Sequence, residues 1–160
     1  NMAGLVPLNP YGGGGVDFLV AKLNSSGALL WYTFLGSAGN DQAFSIEKTS
    51  DGGSIVFGHS NSAITNFWGL APIRAKSGLD DLLVFKLNSF GDVSWFTFFG
   101  GAGLDYARSS GAITQAIDGG YLMVGQANAN IPTAGTQSPV YPYTGGDDIL
   151  LIKLKTNGDF

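Results

Sequence analysis

The chain contains no cysteine, which excludes a disulfide framework and any thiolate metal site. It has one histidine, His59, so a site built on two imidazoles cannot form within it. Eight Lys and Arg stand against twelve Asp and Glu, leaving a net charge of −4. Nucleic-acid binding needs clustered cations to displace counterions from phosphate, and no such cluster is written here, so no nucleic-acid partner is expected. Charged residues make up only 12% of the chain, about half the usual share, which leaves solubility to Asn, Ser, Thr and Gly. No apolar run approaches the roughly 20 residues that span a bilayer, and no basic-then-apolar leader opens the sequence. The first residue, Asn1, is in keeping with processing, trimming or excision from a longer polypeptide. The nucleophile elbow GxSxG, the HExxH pair and the phosphate-binding glycine loop are all missing. No enzyme and no cofactor are therefore expected.

What the chain does have is apolar residues (44%), glycine (25 residues) and a repeat. Asp17-Phe18-Leu19-Val20-Ala21-Lys22-Leu23-Asn24 returns 64 residues later as Asp81-Leu82-Leu83-Val84-Phe85-Lys86-Leu87-Asn88, and again as Asp148-Ile149-Leu150-Leu151-Ile152-Lys153-Leu154. The first two copies run on alike, from Gly36-Ser37-Ala38-Gly39-Asn40-Asp41 to Gly100-Gly101-Ala102-Gly103-Leu104-Asp105. The third stops unfinished at Phe160. This divides the chain into the end of a connector (1–16), repeat 1 with its connector (17–79), repeat 2 with its connector (80–147) and the start of repeat 3 (148–160).

Each apolar run is followed by a turn ending in glycine, Gly27, Gly91 or Gly158, which suits a left-handed residue closing a hairpin with a bulge. Asp51-Gly52-Gly53 and Asp118-Gly119-Gly120 join a second pair of apolar runs in each repeat, and Asp-Gly between such runs is a strong hairpin signal. Each repeat thus reads as a four-stranded antiparallel meander. Runs such as Trp31-Tyr32-Thr33-Phe34-Leu35 are apolar on both faces, so the sheets must be covered on both sides. The expected fold is all-β, with meanders stacked as β-propeller blades; a β-solenoid-like stack is the alternative.

The pattern of Asp, four apolar residues, Lys-Leu-Asn, then Gly, Trp, Thr, Gly-Gly-x-Gly-x-Asp and Asp-Gly-Gly resembles the bacterial beta-propeller repeat family known as SBBP repeats. The resemblance covers nearly the whole chain outside two long connectors. It implies propeller blades and an extracellular or cell-surface setting, and it supplies no catalytic residues.

Candidate sites are sparse. Gly12 to Val20 matches the calcium-binding nonapeptide GGxGxDxUx and Gly100 to Arg108 comes close, but that motif works in tandem copies, and these lie far apart. Asp80-Asp81 and Asp147-Asp148, doubled carboxylates beside glycine, are the better cation candidates, although turn capping explains them as well. Lys22, Lys86, Lys153, Trp31 and Trp95 recur and belong to the architecture. His59, Arg74, Arg108, Trp68, Tyr141 and Tyr143 do not recur. Connectors 61–79 and 128–146 are far longer than the usual few residues and hold Trp68, Arg74, Tyr141 and Tyr143, an aromatic set suited to a glycan or a surface protein. Thr133 to Thr144 has the Ser/Thr/Pro content of an O-glycosylated stretch, and Asn24-Ser25-Ser26 is an N-glycosylation sequon.

Three functions follow. The leading expectation is a non-catalytic extracellular structural module that self-associates into rings or filaments, its strand Ile149, Leu150, Leu151, Ile152, Lys153, Leu154 serving as an assembly edge. The others are a carbohydrate- or protein-binding module, and a stretch of a longer propeller.

Overall fold

The computed structural model describes residues 2–107, 112–131 and 138–160. These residues contain β-strands and no helix, and hence no helix long and apolar enough to cross a membrane. The strands are β1 (Phe18–Leu23), β2 (Leu29–Leu35), β3 (Asp41–Lys48), β4 (Ser54–Ser60), β5 (Asp81–Leu87), β6 (Val93–Phe99), β7 (Asp105–Tyr106), β8 (Ala112–Gln115), β9 (Tyr121–Ala127) and β10 (Asp148–Leu154). They form three antiparallel sheets: β1-β2, β3-β4-β5-β6, and β10-β9 with both β7 and β8 pairing on β9.

The turn chemistry acts as the sequence predicts. Gly27, Gly91 and Gly158 take φ of +81°, +93° and +85°, and the register slips between Lys22 and Leu23 and between Lys86 and Leu87, the bulge expected beside such a turn. Gly52 and Gly119 close the Asp-Gly hairpins at φ +81° and +82°. Two of the three recurring lysines brace these hairpins: Lys86 Nζ lies 2.8 Å from Asp51 Oδ2, and Lys153 Nζ lies 2.6 Å from Asp118 Oδ1.

The sheets do not follow the sequence repeats. Residues 18–35 and 43–59 were expected to share one sheet, yet β2 and β3 are unpaired, and β4 pairs instead with β5 of the next repeat, from Ser54↔Leu87 to Ser60↔Asp81. The reason lies in the links. The 36–40 link is short and steps sideways to the next sheet, where Asp41 N donates to Val16 O at 2.6 Å. The long 61–80 connector leaves β4 and β5 free to run side by side. A full meander is therefore the second half of one repeat and the first half of the next.

The connectors are themselves repeated. Pro7, Pro72 and Pro139 mark the copies, and the first two lie along a sheet edge. Leu8 N donates to Tyr32 O (2.9 Å) and Phe34 N to Asn9 O (3.1 Å); likewise Ile73 N donates to Phe96 O (3.0 Å) and Phe98 N to Arg74 O (3.2 Å). Otherwise open edges of β2 and β6 are thereby paired. In the third copy Val140 and Tyr141 are 89% and 86% exposed, because among the described residues no strand stands beyond β10 for them to cover.

Burial depends on position in the stack. One face of the central sheet (Val56, Leu83, Phe85, Phe96, Phe98) joins Phe18, Val20 and Leu35 of the first sheet, with Ile64 and Phe67 of the connector. The opposite face (Ile55, Phe57, Leu82, Val84, Phe99) joins Ile113, Tyr121, Met123, Ile152 and Leu154 of the third. Every residue of β5 is buried. On the outward faces of the outer sheets, Leu19, Leu23, Ile149 and Leu151 are exposed.

Two glycines set the approach of the sheets. A β-carbon on Gly58 would stand 1.9 Å from Gln42 O and 2.5 Å from the Phe18 ring, and one on Gly125 would stand 2.9 Å from the Leu82 methyls. Phe18 and Leu82 occupy equivalent positions, as do Gly58 and Gly125, so each sheet presses its first apolar residue onto a glycine of the next. Ile149 is the third such residue, and it is 81% exposed.

Candidate functional site

The least expected chemistry in the chain is a set of buried aspartates where one sheet passes to the next. Asp17 and Asp41 flank Gly36, and Asp81 and Asp105 flank Gly100: a β-carbon on either glycine would stand within 3 Å of both carboxylates. Asp41, Asp81 and Asp105 are fully buried and Asp17 nearly so. Each accepts turn amides, Asp17 from Gly12 N (2.6 Å), Asp41 from Ser37 N (2.8 Å), Asp81 from Ser77 N (2.7 Å) and Gly78 N (2.9 Å), and Asp105 from Gly101 N (2.7 Å). The sequence carried the signal, since these residues open and close the repeated stretch, but the pairing needed the sideways step of the 36–40 link.

Burial pushes the Asp17 and Asp41 carboxyls up. Burial, opposed by the Gly101 amide and reinforced by the charge of Asp81, raises Asp105 to about 6. A carboxyl whose folded-state pKa lies above its unfolded value near 3.8 favours folding as it takes up its proton. Stability should therefore rise as pH falls from 7 through 6 towards 4, by about 3 kcal/mol over the full window. Asp51, held at about 2 by its hydrogen bond from Lys86, works the other way, but loses its contribution only below about pH 4. A melting temperature higher at pH 5 than at pH 7, with the difference reduced in Asp105→Asn, is the expected result; equal values in the parent chain would contradict it.

Of the cation candidates, Asp81 belongs to these pairs. Asp80 uses its carbonyl to accept the Asp105 amide (2.8 Å), and Asp148 accepts from Thr144 N (2.7 Å) and its hydroxyl. Asp147 lies beside it at the mouth of a groove. Among the described residues no group of three or more His, Asp or Glu is arranged around a metal position.

The aromatic candidates do not converge. Trp68 is 68% exposed and lines an open groove with Tyr11, Ile64 and Phe67. Tyr141 and Tyr143 line another, with Pro139, Pro142 and Ile149; the Tyr143 hydroxyl donates within its loop, to Asn128 O or Gly146 O. Arg74 lies over the rings of Phe99 and Phe160, at 5.8 and 5.0 Å, where its guanidinium covers the edge of an interface between sheets. His59 stacks on Phe44, meets Tyr106 edge-on and bonds through Nδ1 to Ala107 O (3.0 Å), joining the central sheet to the third. Arg108, and residues 133–137 of the Ser/Thr/Pro stretch, lie outside the described residues.

No family model and no curated protein matches the chain.

Proposed function

We propose that this chain is a non-catalytic structural module of a β-propeller-type array, of the SBBP-repeat kind, working outside the cell or at its surface. Its outer sheets are joined by further sheets of the same repeat, from copies of the chain or from continuing repeats of one polypeptide, into a ring or filament. The observation that carries this reading is the series Phe18, Leu82, Ile149: the first two are seated on Gly58 and Gly125 of a neighbouring sheet, while Ile149, with Leu151 beside it, is exposed. An apolar residue in an equivalent position calls for an equivalent socket, and a sheet face of this kind is an association surface. Negative-stain images of the native particle should show rings or filaments. Ile149→Lys with Leu151→Lys, both at exposed positions, should leave the melting temperature of the chain unchanged and open or disperse the particles. Native particles that form neither a ring nor a filament would contradict the proposal.

A second reading, recognition of a glycan by Trp68, is favoured by one observation. Trp68 has φ +52° at the place in the connector where Ala3 has +51°, so the turn recurs without the indole, and the side chain is free for another task. Sugar-ring stacking lost in Trp68→Ala on a glycan array would support it; no glycan bound by the parent chain would count against it.

A further inference from the structure

The two aspartate pairs differ in one respect. Beside Asp81 and Asp105 stands Lys76, its side chain only 6% exposed and its ammonium 3.8 Å from Asp81 Oδ1. That ammonium donates to the carbonyls of Leu79 (2.8 Å) and Gly78. The equivalent residue in the first pair is Tyr11, fixed by the shared edge bonds of Leu8 and Ile73 and by the shared turn bonds of Gly12 and Ser77. Tyr11 brings no charge, and its hydroxyl is turned to Gly14 O at 2.9 Å.

Asp17 and Asp41 are therefore two buried carboxylates without the cation that their counterparts carry. Asp17 Oδ1 and Asp41 Oδ1 are buried with no hydrogen-bond partner, as is the hydroxyl of Ser37, whose amide binds Asp41; at the second junction one carboxylate oxygen, Asp105 Oδ1, is left in that state. The Ser60 hydroxyl lies beside Asp41, whose carboxylate it can reach, and donates to the Ser62 carbonyl at 2.9 Å. Asp17 Oδ1 points at Gly36, 2.7 Å from where a β-carbon would stand, at the same distance as Asp41 Oδ2. Buried oxygens of this kind, left unpaired, are costly, and two carboxylates with a hydroxyl beside them are the donors of a hard cation.

We propose that Asp17 and Asp41 hold a calcium ion, with Ser37, main-chain carbonyls and water completing its oxygen shell, and that the Lys76 ammonium is the built-in substitute for that ion at the next sheet junction. With two carboxylates the affinity belongs to the range of extracellular modules, a Kd on the order of 10⁻⁴–10⁻³ M. Calcium binding at this junction does not depend on whether the array forms.

The test is the melting temperature of the full chain, stripped with chelator and titrated with calcium chloride to about 10 mM, a range set by that affinity. The parent chain should gain roughly 3–10 °C and should show terbium luminescence that calcium displaces. Tyr11→Lys, which copies the second junction into the first, should be more stable without calcium and lose the response. Asp17→Asn with Asp41→Asn should also lose it, while Lys76→Tyr should bind a second equivalent. No calcium response in the parent chain, stabilisation by acid alone in its place, or an undiminished response in the double Asn variant would each overturn the proposal.

Discussion

Phe85→Ala should destabilise the chain by about 3–5 kcal/mol and lower its melting temperature by on the order of 10 °C. Phe85 is fully buried in β5, and its ring meets three others that belong to different parts of the molecule. It stacks on Phe96 of its own sheet (5.3 Å between centroids), and it meets edge-on Phe18 of the first sheet (5.9 Å) and Phe67 of the connector (5.3 Å). Truncation removes the transfer free energy of a benzyl group and leaves a cavity that three separately anchored elements would have to close together, which places the cost towards the upper part of the range. Phe90→Ala is the control, because Phe90 sits 74% exposed at a hairpin turn and should change the melting temperature by less than 2 °C, the effect of a surface substitution. A loss below about 1 kcal/mol for Phe85→Ala, measured by urea unfolding, would mean that the first and central sheets are not packed together as described.

Gly58→Ala should cost at least about 3 kcal/mol, beyond the usual range for overpacking, although alanine is the smallest addition possible and strand propensity favours it over glycine. The new methyl would stand 1.9 Å from the Gln42 carbonyl oxygen and 2.5 Å from the Phe18 ring. The first of these is backbone of the paired strand and cannot swing aside, so β3 and β4 must part or the first sheet must lift. Gly125→Ala, at the equivalent place in the third sheet, meets the Leu82 methyls at 2.9 Å and Tyr106 O at 3.0 Å, and a leucine can turn its rotamer. The ordering is the test: Gly58→Ala should lose clearly more stability than Gly125→Ala. The reverse order, or two near-neutral substitutions, would remove glycine as the element that sets the approach of one sheet to the next.

The strands and their turns were legible because local chemistry determines them. Gly27 and Gly91 close hairpins, Gly158 makes the same turn after β10, and Asp51-Gly52 and Asp118-Gly119 close the second hairpin of each repeat. The phase of the sheets was not legible. Whether β4 joins β3's partner in its own repeat or β5 of the next depends on the 36–40 and 61–80 links, and sequence similarity between repeats is blind to that choice. Burial was legible only for the middle copy. Phe18-Leu19-Val20, Leu82-Leu83-Val84 and Ile149-Leu150-Leu151 are close to interchangeable in composition. Only the second is buried throughout, since only β5 has a sheet against each face.

The candidate site was harder to see for a related reason. Trp68, Arg74, Tyr141 and Tyr143 were selected as non-recurring, but Pro7, Pro72 and Pro139 show that the connectors recur too, displaced by one residue in the first copy. Once that register is recognised, Arg74 and Tyr141 are equivalent positions beside a sheet edge, one laid along β6 and the other exposed. The aspartate pairs were visible as recurring letters, and of the four only Asp81 was weighed as a turn cap. They do cap turns, but their second oxygens and the exchange of Lys76 for Tyr11 emerge only when residues about 24 positions apart are brought together.

An array of these sheets requires that the outward face of β10 be covered in the native particle, and hydroxyl-radical footprinting of that particle reads this directly. Ile149 and Leu151 should be protected several-fold relative to Ile117, which is fully exposed at the hairpin between β8 and β9. Modification of Ile149 and Leu151 at the rate of Ile117 would show that no further sheet sits there and would contradict the array.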